Sequence, residues 1–158
     1  MADAEPTDQP IYSGCFTQKV DGRRVVIPSR WLPAKLDGNG KPFEFTLVVW
    51  PSGNCGTFLR VLPPHQLDRL MKKIEEMPDS DPDKPVRKRY IGSHSMQATV
   101  DKQGRMVLPE EMAKAAGIGN EVVLRGCLDR FEMWSVERSA AVETTDSVKA
   151  SESLAMLG

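Results

Sequence analysis

The sequence predicts a mixed, β-rich α+β fold: two β-hairpin/short-helix repeats packed together, with flanking helices. Three observations carry that expectation. First, VDGRRVVIP (20–28) returns as VDKQGRMVLP (100–109), an Asp-turn-Arg-apolar-Pro phrase that is one residue shorter in its first copy. Second, each copy is followed by matching apolar strands, Thr46–Trp50 with Glu121–Arg125 and Phe58–Leu62 with Phe131–Ser135. The offset of about 73–81 residues is too long for a solenoid and suits an internal duplication. Third, Leu67, Leu70, Met71 and Ile74 recur at helical spacing within 63–77.

Taken in order, the first unit opens on a strand and turns at Asp21-Gly22, a two-residue hairpin signal. Pro28 starts a helix that Pro33 keeps short. Asp37-Gly-Asn-Gly40 reads as a loop; its glycines lack the spacing of a phosphate-binding loop and lead to Pro42 and a strand. The packing helix at 63–77 is followed by a Pro/Asp connector, PDSDPDKP (78–85), and by the basic stretch VRKRYIGSH (86–94). In the second unit Met96, Ala98 and Val100 alternate with polar residues as in a half-buried strand. Asp101–Gly104 supplies a turn, Arg105–Leu108 a strand, and Pro109 a helix start with Glu110 and Glu111 at its positive end. Met112, Ala113 and Ala116 form the apolar stripe, and Gly117 the stop. The organisation expected is a disordered tail (1–10), a first repeat with its helix (11–77), a connector (78–93), a second repeat (94–140) and a C-terminal helix and tail (141–158).

Composition narrows the function classes. The chain has 158 residues, 40% hydrophobic and 27% charged, a soluble globular balance. No apolar run approaches the ~20 residues of a membrane span, and the acidic start MADAEPTDQP resembles no secretory signal. Three scattered cysteines, Cys15, Cys55 and Cys127, fit a reducing cytoplasm and no zinc site. His65 and His94 are isolated, and no Ser or Cys stands in a nucleophile motif, so catalysis is not expected. Asp79, Asp81 and Asp83 lack the Gly and terminal Glu of a calcium loop. Neither a metal nor another cofactor is expected. The net charge of −1 conceals a gradient: residues 11–60 hold seven Lys/Arg against three acids. Positive charge is therefore concentrated around the first copy of the phrase.

The duplicated phrase, DKQGRMVLP, GNEVVLRG and RFEMW together resemble the MraZ family, two-repeat members of the AbrB-like (SpoVT-AbrB) swapped-hairpin superfamily. The likeness spans roughly residues 12–140 and includes the basic-to-Gly segment Arg87–Gly92. It implies that the two halves interlock into one pseudo-twofold swapped-hairpin barrel. It also implies a bacterial cytoplasmic, nucleoid-associated transcription regulator that assembles as a homo-oligomeric ring, an octamer or dodecamer. Such a ring would bind double-stranded DNA at direct repeats upstream of the division and cell-wall gene cluster, with no membrane or small-molecule substrate.

A two-stranded ribbon fits the major groove, and its turn protrudes. The candidate DNA contacts are Arg24 first and Arg23 second, with Lys19, Lys102, Arg105, Arg87, Lys88 and Arg89; Asp21, Gly22, Asp101 and Gly104 are expected to shape the turns. Family members usually carry D-x-K-G-R in the first half. Here Asp21-Gly22-Arg23-Arg24 places Arg23 where Gly is expected when the phrases are aligned from the proline. Two readings of the arginines stay open: DNA contact, or an Asp–Arg ion pair that merely fixes each hairpin. The rival function is a ring-forming protein of the same fold that has lost DNA binding and takes a protein partner.

Overall fold

A computed structural model describes residues 10–36 and 40–158 of the chain. The expected N-terminal tail lies outside the described residues except for Pro10, as does most of the loop at 37–40. The strands are β1 (Cys15–Lys19), β2 (Arg24–Val26), β3 (Glu44–Trp50), β4 (Phe58–Leu62), β5 (Ser95–Thr99), β6 (Arg105–Val107), β7 (Glu121–Gly126) and β8 (Phe131–Trp134). The helices are α1 (Pro64–Glu75), α2 (Asp83–Ser93), α3 (Glu110–Ala115) and α4 (Val136–Ala155), with a 3₁₀ turn at Ser29–Trp31.

Six strands form one antiparallel sheet in the order β1-β7-β8-β4-β3-β5, and β2 and β6 form a separate antiparallel ribbon. The fold is mixed α/β, and the pairings cross between halves: β1 with β7, β2 with β6, β3 with β5, β4 with β8. Exchanging β1–β4 for β5–β8 maps this pairing scheme onto itself. The expected closed barrel is not found among the described residues. The outer strands β1 and β5 run into tight turns, and the three-residue β2 and β6 pair with each other instead of closing the sheet edges.

Alternation along each strand sorts side chains onto two faces. One face buries Phe45, Leu47, Leu59, Val61, Leu124, Phe131 and Met133 beneath the ribbon, the 3₁₀ turn and α3. Trp31 closes this core: fully buried, it donates from Nε1 to the Ser13 carbonyl at 2.9 Å and tilts against Phe131 at 4.8 Å. The other face buries Phe58, Val123 and Trp134, with Trp50 and Val142 against them. Ser135 caps α4 by accepting from the Arg138 N–H at 3.1 Å, and Arg138 reaches the Thr57 carbonyl at 2.8 Å.

Three local expectations change. Residues 78–93, read as a connector, contain α2; Pro85 is tolerated in its first turn, where no backbone donor is lost. Buried Lys84 ties the region down, with Nζ 2.7 Å from Asp79 Oδ1 and 3.2 Å from the Glu75 carbonyl. The C-terminal helix begins at Val136 rather than 141 and runs to Ala155. Met96, expected inside, is 53% exposed on the edge strand β5.

Candidate nucleic-acid interface

The two copies of the phrase fold into two different turns. In the first, Asp21 and Arg24 exchange backbone hydrogen bonds at 3.0 and 2.9 Å around the two-residue loop Gly22-Arg23. Both loop residues have positive φ, 55° and 66°, the signature of a type I′ hairpin. In the second, the Gly104 N–H donates to the Asp101 carbonyl and the Asp101 N–H to the Arg105 carbonyl, enclosing Lys102-Gln103-Gly104. Gly104 takes φ 79°, as the left-handed position of a three-residue hairpin requires. The missing residue therefore converts a three-residue loop into a two-residue one.

The turns differ again in what holds their arginines. Asp101 accepts from the Gln103 and Arg105 N–H groups through Oδ1, and from Arg105 Nε through Oδ2, each at 2.9 Å. The Arg105 backbone N–H foremost, helped by its guanidinium and the Gln103 N–H, holds the Asp101 carboxyl below the usual carboxylate range. Arg105 is thus tied to its own turn. Arg24 makes no ion pair among the described residues, so the Asp21–Arg24 bridge weighed from sequence is not formed. Arg23 approaches Glu110 at 3.9 Å with both side chains 62% exposed, a contact that screening leaves weak.

The ribbon connects the turns. Its register sets Arg24 opposite Val107, Val25 opposite Met106 and Val26 opposite Arg105. Val25 and Met106 are fully buried, so alternation turns Arg24, Val26, Arg105 and Val107 outward. The two arginines occupy diagonal corners, and the two valines, 49% and 47% exposed, occupy the others. A groove of about 820 Å³ runs beside this face, bordered by Arg23, Arg24, Lys102 and Arg105. Lys19 is exposed at the end of β1, in register with Glu121.

Arg87, Lys88 and Arg89 do not join this surface. They lie on α2, which packs with α1 on the sheet's other face; Lys88 Nζ is 3.6 Å from Glu75, and Arg87 touches Met77 Sδ at 3.6 Å. Sequence reasoning missed Val26 and Val107, because in a three-residue strand alternation does not say which face is inward. It also missed Glu110 as the partner of Arg23, a contact set by the cross-half pairing of β2 with β6.

A sheet whose halves exchange strands, carrying two turn-flanked arginines on an outward ribbon, defines a two-hairpin α/β protein with a cationic β-surface. A family model described as "MraZ protein, putative antitoxin-like" matches residues 91–153. A protein named transcriptional regulator MraZ from Leuconostoc citreum is 31% identical over 87% of this chain and 91% of its own. The proteins of that name from Leuconostoc mesenteroides and Acetivibrio thermocellus are each 27% identical, covering 86% and 94% of this chain and 90% and 99% of theirs. The chain belongs to the MraZ family. Among the described residues no helix is long and apolar enough to cross a membrane.

Proposed function

We propose that this chain is a cytoplasmic, nucleoid-associated transcriptional regulator that binds double-stranded DNA through the outward face of the β2–β6 ribbon and its two turns. The observation that supports this reading above others is the pair of diagonal arginines, Arg24 and Arg105, on a face with no covering element among the described residues. Arg24, with no ion pair among the described residues, and Arg23, only weakly engaged by Glu110, keep donors for guanine or phosphate oxygens. Lys19 and Lys102 add phosphate contacts, and Arg105, occupied by Asp101, mainly shapes its turn. The cross-half pairing supports treating residues 11–77 and 94–140 as two swapped-hairpin repeats of one pseudo-twofold unit. Arg87, Lys88 and Arg89 contact DNA only where a neighbouring subunit or a curved duplex brings the α2 face to it.

One subunit with net charge −1 offers few cations. A homo-oligomeric ring presents the same turns repeatedly, so modest contacts to direct repeats multiply through effective concentration. The exposed Val26 and Val107 favour one second reading, a protein partner on the same face. Footprinting on the region upstream of the division and cell-wall gene cluster separates the two. Protected, evenly spaced boxes whose protection declines steeply with salt support DNA binding. No protection at any salt favours the protein partner.

A further inference from the structure

A second cavity, of about 620 Å³, lies on the helix-covered side of the sheet between α1, α2 and the β7–β8 turn. Its volume falls within the range of small-ligand sites, roughly 300–1,000 Å³. Trp50 and Arg60 line its sheet side, and the Arg60 guanidinium lies 3.8 Å from the Trp50 ring centroid. Arg69 and Lys73 from α1, Arg87 from α2 and Arg130 from the β7–β8 turn complete a cationic lining. Among the described residues lining it Asp129 is the single carboxylate, and it is held by Arg130 at 3.0 and 3.2 Å.

Asp129 and Glu132 offset part of this charge and leave an excess of cations. Among the described residues Arg60, Arg69, Lys73 and Arg87 make no ion pair. Arg60 Nε is buried without a hydrogen-bond partner. The carboxylate in register with it, Glu132, instead accepts from Trp134 Nε1 at 2.8 Å. Burial foremost, then the nearby Arg130 charge, lowers the Arg60 pKa from its ordinary value, against the opposing charges of Glu132 and Asp129. Leu62, Leu70 and Ile91 supply apolar walls. A cleft with a guanidinium stacked on an indole, apolar walls and an excess of cations suits a ligand with an apolar body and a negative group.

We infer that this cleft binds a small organic anion with a flat or apolar body, at a site separate from the DNA-binding face. The site does not depend on the DNA-binding reading, and its test is independent of it. The probes are 8-anilinonaphthalene-1-sulfonate and its uncharged relative N-phenyl-1-naphthylamine, titrated against the intact protein, with dye and tryptophan fluorescence as readouts. Arg69 and Lys73 are exposed on α1, so R69E/K73E is expected to fold, which near-ultraviolet circular dichroism checks. The sulfonate is expected to bind once per chain, at least tenfold more tightly than the uncharged dye, and at least tenfold more weakly to R69E/K73E. Trp50→Leu, chosen to spare the charges, is expected to weaken binding and remove the tryptophan response. Absent binding, equal binding of the two dyes, or unchanged binding by R69E/K73E overturns the inference. A change in assembly size caused by R69E/K73E assigns the cleft to a neighbouring subunit and overturns it as well.

Discussion

Arg23 and Gly104 hold equivalent places in the two hairpins. Each has positive φ, 66° and 79°, and each carbonyl accepts an N–H from the strand end across the ribbon, Leu108 for Arg23 and Ile27 for Gly104. Aligning the phrases from their prolines is therefore the structurally correct choice, and the first copy carries arginine where the second carries glycine. The left-handed conformation is disfavoured for an L side chain, which makes Arg23 a residue kept at a conformational cost.

That cost is measurable. Arg23→Gly is expected to raise stability by about 0.5–1 kcal/mol, relief of left-handed strain exceeding the added freedom of the unfolded chain. The same variant is expected to weaken DNA binding, because the side chain leaves with the strain. Urea denaturation and fluorescence anisotropy on one preparation read both effects.

Gly104 gives the converse. A Cβ there would stand 3.4 Å from Leu32 Cδ1 and 3.8 Å from the Ile27 carbonyl oxygen, so backbone conformation rather than space opposes it. Gly104→Ala is expected to destabilise by about 1–2 kcal/mol. The loss should appear as a lower urea midpoint with an unchanged slope.

The two ribbon arginines should separate in their effects. Arg24→Ala removes a guanidinium that makes no ion pair among the described residues and is expected to lower DNA affinity roughly five- to 150-fold, corresponding to about 1–3 kcal/mol for a base contact. Arg105→Ala is expected to lower affinity less and stability more, since Arg105 is bonded to Asp101. Comparing the ratio of binding loss to stability loss in the two variants checks this.

Asp101 should make stability acid-sensitive. Its folded pKa is depressed by the turn's N–H groups and the Arg105 guanidinium, so the unfolded chain takes up the proton more readily. The stabilisation is complete above the unfolded value, about pH 4, and is lost as pH falls through the folded value. Relative to Asp101→Asn, the parent is expected to lose stability more steeply below about pH 4. Parallel acid profiles of the two urea midpoints would contradict the assignment.

Much of the fold is legible in the chain because it is local. Asp21-Gly22 and Asp101–Gly104 announce their turns, Pro28 and Pro109 their helix starts, and Gly117 the end of α3 with φ 69°. What is not legible is non-local or compositional. The pairing of β2 with β6 joins residues about 80 positions apart, and no local pattern specifies it. α2 hides behind its Pro/Asp-rich start because it presents no clear apolar stripe, and buried Lys84 anchors it where a hydrophobic residue would be sought. The candidate site divides the same way. Turn cations are readable from the phrase, whereas the Asp101–Arg105 bond and the remoteness of Arg87–Arg89 depend on tertiary placement.

If exposed arginines at the shorter turn carry DNA binding, reversing the charge of both should abolish it. Anisotropy of labelled upstream DNA is measured at several salt concentrations with the parent and with R23E/R24E, alongside the assembly size of each. R23E/R24E is expected to keep its assembly and to lose detectable binding. Binding by R23E/R24E equal to that of the parent, with the same salt dependence, would show that these arginines do not carry DNA binding.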